Sequence, residues 1–244
     1  SQWLAARRSL LEREKEYTHL RDELAQLRQE LPWVKVQKPY SFETPCGTRP
    51  LSDLFGNKPQ LLVYHFMFGP DSAEGCPSCS MIADALNGIA PHVAQRDISL
   101  MLVSRAPLEK LQAFKTRMVW DNLFWASSEK SDFNQDFGVT LNEAQMKSGK
   151  VYNYGTQNFP KPEAPGMSAF IKRGDDVYHA YSTYGRGLEE LLGVYSLFDL
   201  APNGRNEAGL PWPMAWVRHH DKYEDDPANR AKLSAAAQST CGCD

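Results

Sequence analysis

The sequence predicts an α/β fold, a mixed central sheet with helices on both faces, preceded by a long N-terminal helix and followed by an irregular C-terminal extension. Residues 60–68, Gln-Leu-Leu-Val-Tyr-His-Phe-Met-Phe, are a nearly continuous apolar run rich in β-formers, as expected for a strand buried on both faces. A second such run at residues 98–103 follows a stretch of helical spacing, and a hairpin signal comes later. The order is therefore βαβα and then ββα. Composition is that of an ordinary globular chain, with 42% hydrophobic and 23% charged residues among 244, which argues against disorder.

Residues 1–31 read as one helix. Trp3, Leu10, Tyr17, Leu24 and Leu31 recur every seven residues, and Ala6, Leu20 and Leu27 sit three after members of that row. The intervening residues are mostly Arg, Glu, Lys and Gln, so the helix carries a narrow coiled-coil-type seam, interrupted by Arg13. The first expectation is a helix laid across its own domain; a homodimer contact through the seam is the alternative. Pro32 ends the helix, because the residue before proline is pushed out of the α region.

Residues 33–200 form the α/β domain. Residues 34–36 are expected as a short strand, 51–54 as a turn of helix and 60–68 as the central strand. Residues 69–75 are a loop. Residues 77–93 carry helical spacing at Met81, Ile82, Ala85, Leu86 and Ile89. Residues 98–103 are the second buried strand and 108–118 the next helix. Residues 168–171 and 177–181 fit a hairpin turning at Arg173-Gly174-Asp175, and 187–198 an apolar-striped helix. Pro202, Gly204, Pro211 and Pro213 interrupt any regular element after that, so residues 201–244 read as an extension over the core ending in a polar tail.

Charge and motifs exclude several function classes. Lys plus Arg total 27 and Asp plus Glu 30, a formal net charge of −3, which gives no electrostatic footprint for nucleic acid or an anionic membrane. No apolar run approaches the roughly 18 residues of a membrane span, and the charge-dense start gives no expectation of a signal peptide. Phosphate-loop, GxSxG and HExxH patterns are lacking. The five cysteines, Cys46, Cys76, Cys79, Cys241 and Cys243, are too few and odd in number for a disulfide-stapled scaffold, so a reducing, cytoplasmic compartment is expected.

The strongest chemical signal is Gly75-Cys76-Pro77-Ser78-Cys79 between a buried strand and a helix. There Cys76 lies at a helix N-terminus, where free N–H groups and the helix dipole stabilise a thiolate. Pro77 at the first helical position loses no hydrogen bond. Cys79, one turn on, is placed to resolve a mixed disulfide. Half of a structural zinc site, or two inert thiols, are the other readings of the same spacing.

The element order and the strand–CxxC–helix junction resemble the thioredoxin fold. Four stretches resemble more closely a bacterial thioredoxin-like family of unknown function, whose members are usually described as predicted dithiol–disulfide oxidoreductases. They are Val63-Tyr-His-Phe-Met-Phe-Gly-Pro-Asp71, Gly75-Cys-Pro-Ser-Cys-Ser80, Tyr181-Ser-Thr-Tyr-Gly-Arg-Gly-Leu188 and Met214-Ala-Trp-Val-Arg-His-His-Asp221. The likeness spans residues 33–223. Thioredoxins place a cis-proline just before the strand that faces the motif, where it helps hold substrate backbone. The matching region here is Ala164-Pro165-Gly166-Met167-Ser168, with Pro165 about one residue early. Either a small insertion restores it, or Gly166 or Met167 faces the cysteines.

Cys241-Gly-Cys243 is a spacing that holds a soft ion such as Cu(I), or zinc, or forms an easily reduced disulfide. His65 and His179 are the candidate histidines beside such a site. Tyr64, Trp120, Trp125, Tyr181 and Tyr184 are candidates for lining a pocket. Arg186 and Arg218 are candidates for pairing with an anionic ligand, and exposed salt bridges are the commoner fate. His219-His220-Asp221 invites a metal or acid–base reading, although adjacent side chains diverge. Cys46 sits in a turn and reads as structural.

The expected function is thiol–disulfide exchange on a protein or small-molecule disulfide, with Cys76 and Cys79 catalytic and His65, Pro77, Pro165 and Tyr181 lining the site. No cofactor is needed for that reaction. The alternative is copper or zinc held by Cys76 and Cys79 together with Cys241 and Cys243.

Overall fold

The computed structural model describes residues 1–223; the Cys241-Gly-Cys243 tail lies outside the described residues. One eight-stranded sheet organises the chain. Its strands are β1 (Val34–Lys35), β2 (Ser41–Thr44), β3 (Gly47–Pro50), β4 (Gln60–His65), β5 (Ile98–Ser104), β6 (Phe124–Ser127), β7 (Gly166–Arg173) and β8 (Asp176–Tyr184). They run in the spatial order β1-β8-β7-β4-β5-β6-β2-β3. β4 lies at the centre, parallel to β5 on one side and antiparallel to β7 on the other, with Tyr64 opposite Leu102 and Met167. Helix α2 (Pro77–Ala94) links β4 to the parallel β5, and the β7–β8 hairpin completes the other half. This is the thioredoxin-like arrangement.

Alternation along β4 divides the core in two. Tyr64 and Phe66 join the cluster formed with α2, α3 (Leu108–Arg117) and α6 (Gly193–Leu200). Leu61 and Val63 face the other way, into a cluster with Phe42, Phe55, Phe133 and Phe170. A strand with period two that is covered on both faces needs apolar residues at nearly every position, which explains the run Leu61–Tyr64 and Phe66, with the buried His65 the one polar member. On the second face the cover is the β2–β3 hairpin, the single turn Leu51–Asp53 and the short α4 (Phe133–Asp136).

The structure departs from the pattern at several places. The stripe expected as one helix over 187–198 is a 3-10 helix, Gly185–Leu191, followed by α6, with Leu192 at φ −97°, ψ 69° between them. β7 and β8 run longer than the hairpin signal, and β2, β3, β6 and α5 (Glu143–Ser148) were not anticipated. The largest departure is α1 (Gln2–Glu30). None of its residues is buried, so it does not lie across its own domain. It reaches the body through Arg21 to Glu190 at 3.4 Å and Arg28 over the Tyr181 ring. Its seam of single apolar residues is too narrow to bury against a sheet. No helix of the described residues is long and apolar enough to cross a membrane.

Candidate active site

After β4 the chain turns over the sheet and delivers Cys76 to the start of α2. The Cys76 N–H donates to the Met67 carbonyl at 3.1 Å, fixing the loop against the strand it left. Cys76 is the helix cap, at φ −62°, ψ 129°, and Pro77 is the first helical residue, where its missing N–H costs nothing. The Ser80 N–H and hydroxyl both donate to the Cys76 carbonyl, at 2.9 and 3.0 Å. Gly75 is required by close approach: a Cβ there would lie 2.7 Å from the Phe66 ring and 3.0 Å from Phe114.

The two thiols, both free, differ sharply. Cys76 is partly exposed, and its pKa is lowered from 9.0 to about 6. The largest cause is the hydrogen bond from the Cys79 thiol, reinforced by the Ser78 and Cys79 backbone N–H groups and by Lys161. Cys79 is buried, and its pKa is pushed up, first by burial and then by the neighbouring Cys76. The Tyr64 hydroxyl is fully buried, makes no hydrogen bond among the described residues and lies near Cys79, where it favours the thiolate.

A cavity of about 470 Å³ opens beside the pair. Tyr64, Met67, Ile82, Leu188, Leu192 and Tyr195 give it an apolar wall, with Pro165 and Tyr152 opposite. Pro165 immediately precedes β7, and its peptide bond is trans, like all those described. Its carbonyl accepts a hydrogen bond from the Tyr152 hydroxyl, which itself accepts from the Gly185 N–H at 2.7 Å. Tyr152 thus joins the residue before β7 to the residue after β8. The C-terminal segment closes the far side. The Glu207 carboxylate accepts from Tyr195, Met214 N–H and the Trp216 indole, bringing Met214 into the wall.

Further along the same segment, His219 is buried and its Nε2 lies 2.8 Å from the Gly75 carbonyl. Arg117 pairs with both Glu74 and Asp221, and Lys222 with Glu74. These contacts hold the turn that presents Cys76, which gives His219 and Asp221 a positioning role. His220 instead meets Asp84 at 2.7 Å, pointing away from its neighbour.

Of the residues expected at the site, Cys76, Cys79, Pro165 and Tyr64 line the cavity, and Pro77 borders a second groove on the other side of Cys76. His65 does not reach the site. Residue parity puts it on the opposite face of β4, stacked on Phe133 and Phe137, with Nε2 2.8 Å from the Ser168 hydroxyl. Burial lowers its pKa to about 3, helped by His179, so it is a neutral core histidine. His179 joins the same network through Ser182 at 2.7 Å. Tyr181 sits beneath Arg28 of α1, away from the cysteines. Trp120 and Trp125 are core, donating to Asp84 and Ser104. Tyr184 caps the Phe137 carbonyl on another face. Arg186 lines the rim but is paired with Glu189, and Arg218 donates to the Ala215 and Val217 carbonyls.

Sequence reasoning missed Tyr152, Glu207, Leu188 and Leu192, whose roles depend on long-range closure. All four quoted stretches border the cavity, through Tyr64 and Met67, Cys76 and Cys79, Gly185 and Leu188, and Met214. Among the described residues, no group of three or more His, Cys, Asp and Glu is arranged to hold a metal ion.

The family model for a bacterial protein family of unknown function, DUF899, matches residues 1–223. The chain belongs to that family. None of the curated proteins compared with it matches. Among solved structures it is similar to peroxidoxin BcpB from Mycobacterium tuberculosis, at 15% identity and a TM-score of 0.46, over 67% of this chain and 93% of that one. It is also similar to the mitochondrial 2-Cys peroxiredoxin from Plasmodium falciparum, at 13% identity and 0.43, over 68% and 94%. A peroxiredoxin-like protein from Aquifex aeolicus matches at 13% identity and 0.43, over 63% and 80%. The thioredoxin-like assignment itself rests on the strand order and the strand–cysteine–helix junction.

Proposed function

We propose that the chain is a thiol–disulfide oxidoreductase acting on small apolar disulfides in a reducing, cytoplasmic setting. The observation that supports this most is the asymmetry of the pair. One thiol is partly exposed, with a pKa near 6, beside an apolar cavity; the other is buried one helical turn away, with its pKa raised.

The Cys76 thiolate attacks one sulfur of the substrate disulfide, forming a mixed disulfide and expelling the other substrate sulfur as a thiolate. Cys79 then gives up its proton and attacks Cys76, releasing the second substrate thiol and leaving a Cys76–Cys79 disulfide. The first step removes the negative charge on Cys76 that had raised the Cys79 pKa, so the resolving thiol becomes easier to ionise when it is needed. An external dithiol restores the reduced pair. The Pro165 carbonyl already accepts from Tyr152, so this acceptor is engaged within the chain. That, with the closed apolar wall, favours a compact substrate over an extended peptide.

Exchange with a small aromatic disulfide tests the reading. Cys76→Ser is expected to abolish turnover, and Cys79→Ser to stop with one substrate half bound to Cys76, visible as an added mass. Full activity in Cys76→Ser would overturn the proposal. Near-stoichiometric copper or zinc in freshly purified reduced protein, lost on removal of Cys241 and Cys243, would favour the metal reading instead.

A further inference from the structure

We infer that α1 is the subunit interface of a homodimer, a parallel two-stranded coiled coil formed with α1 of a second copy of this chain. The helix leaves its seam uncovered: Trp3, Leu10, Tyr17, Leu20, Leu24, Leu27 and Leu31 are each between 41% and 71% exposed. A 29-residue helix with no buried residue lacks the tertiary packing that normally stabilises helices in water. Its own residues 224–244 supply one large apolar side chain, Leu233, too little to fill a seam four heptads long.

The flanking charges identify the occupant. With Trp3, Leu10, Tyr17, Leu24 and Leu31 at a, the d positions are Ala6, Arg13, Leu20 and Leu27. The g positions are then Gln2, Ser9, Glu16, Glu23 and Glu30, and the e positions Arg7, Glu14, Arg21 and Arg28. In a parallel pair each g residue meets the e residue five positions on in the other strand. Glu16 then faces Arg21 and Glu23 faces Arg28, twice over by symmetry, and no g–e contact joins like charges. An antiparallel pair sets g against g and e against e, so Glu16, Glu23 and Glu30 share one flank with no basic partner, and Arg7, Arg21 and Arg28 share the other with Glu14 as its one acidic residue. The parallel pairing of identical helices fills the seam and matches opposite charges on both flanks, which the all-acidic half of the g row does not allow in the antiparallel one.

The seven-residue repeat also fixes a left-handed supercoil. Arg13 at d weakens the N-terminal half, so residues 17–31 carry the contact. Arg21 and Arg28, on one flank, are the side chains that touch the body, and the 3.4 Å contact of Arg21 with Glu190 is long enough to be exchanged for a second copy's Glu16. Both α/β domains then emerge at the same end of the coil, with each cavity on its own subunit.

Sedimentation equilibrium of the full chain at micromolar concentration tests this. The wild type is expected at twice the chain mass. Leu20→Glu with Leu24→Glu should return it to the mass of one chain, with the far-UV spectrum of the domain retained because neither residue contacts the core. Charge exchange then tests direction. Arg21→Glu with Arg28→Glu, or Glu16→Arg with Glu23→Arg, should each weaken association at least tenfold, and all four together should restore it. A wild type that sediments as one chain, a dimer that survives the leucine changes, or four exchanges that fail to restore what two remove would overturn the inference.

Discussion

The thiolate of Cys76 should depend on the thiol of Cys79. Lowering the Cys76 pKa from 9.0 to about 6 corresponds to about 4 kcal/mol at 1.36 kcal/mol per unit, and the Cys79 hydrogen bond is its largest cause. A hydrogen bond to a charged group contributes about 1.5–3 kcal/mol, so Cys79→Ala should raise the Cys76 midpoint by about 1–2 units. At pH 7 the thiolate fraction would fall from roughly 90% to between about 50% and 10%. Cys79→Ser, which keeps a donor, should stay closer to wild type. Alkylation rate against pH, followed at Cys76 by mass, reads the midpoint.

The same depressed pKa makes stability pH-dependent. Between about pH 6 and 9 the unfolded chain holds the Cys76 proton that the folded chain has released, so folding stability rises with pH across that window. It is lost as pH falls through about 6. Relative to Cys76→Ser, the reduced wild type should gain about 2 kcal/mol from pH 6 to pH 8 in urea titrations. Cys79 has the opposite sign: its pKa is raised from 9.0, so it lowers stability once pH passes that unfolded value. A wild-type alkylation midpoint near 8.5, a midpoint unmoved in Cys79→Ala, or a stability difference flat from pH 6 to 8 would refute this reasoning.

Gly75→Ala should destabilise the reduced protein by about 1–3 kcal/mol, because the new methyl meets Phe66 and Phe114, which are packed against Trp120 and Trp125; a urea midpoint within error of wild type would contradict the close approach. Tyr64→Phe should leave the Cys76 alkylation midpoint unchanged while the mixed disulfide accumulates, since the hydroxyl stabilises the thiolate of Cys79. Rapid-quench mass spectrometry reads both, and normal release with a shifted Cys76 midpoint would reverse the assignment.

The sequence by itself determined the central strand, the α2 junction and the identity of the two thiols. These are local facts: an apolar run needs two covered faces, a proline at the first helical position marks a helix start, and a cysteine just before it meets free N–H groups. The seven-residue row in α1 was equally legible, but whether it faced its own domain was not, because a seam records its width and not its occupant. Tertiary structure decided the rest. His65 and Tyr64 are neighbours in one apolar strand, and period two sends one to the cavity and the other to the far core; which face received the cysteines depended on where α2 folded back. Tyr152, Glu207 and Met214 are far from the motif along the chain, and no local pattern marks a tyrosine that must span Pro165 and Gly185. The cavity exists only because the hairpin, the 3-10 turn and the C-terminal segment converge on α2. Contacts between distant segments are set by packing of the whole chain, not by periodicity within any one of them.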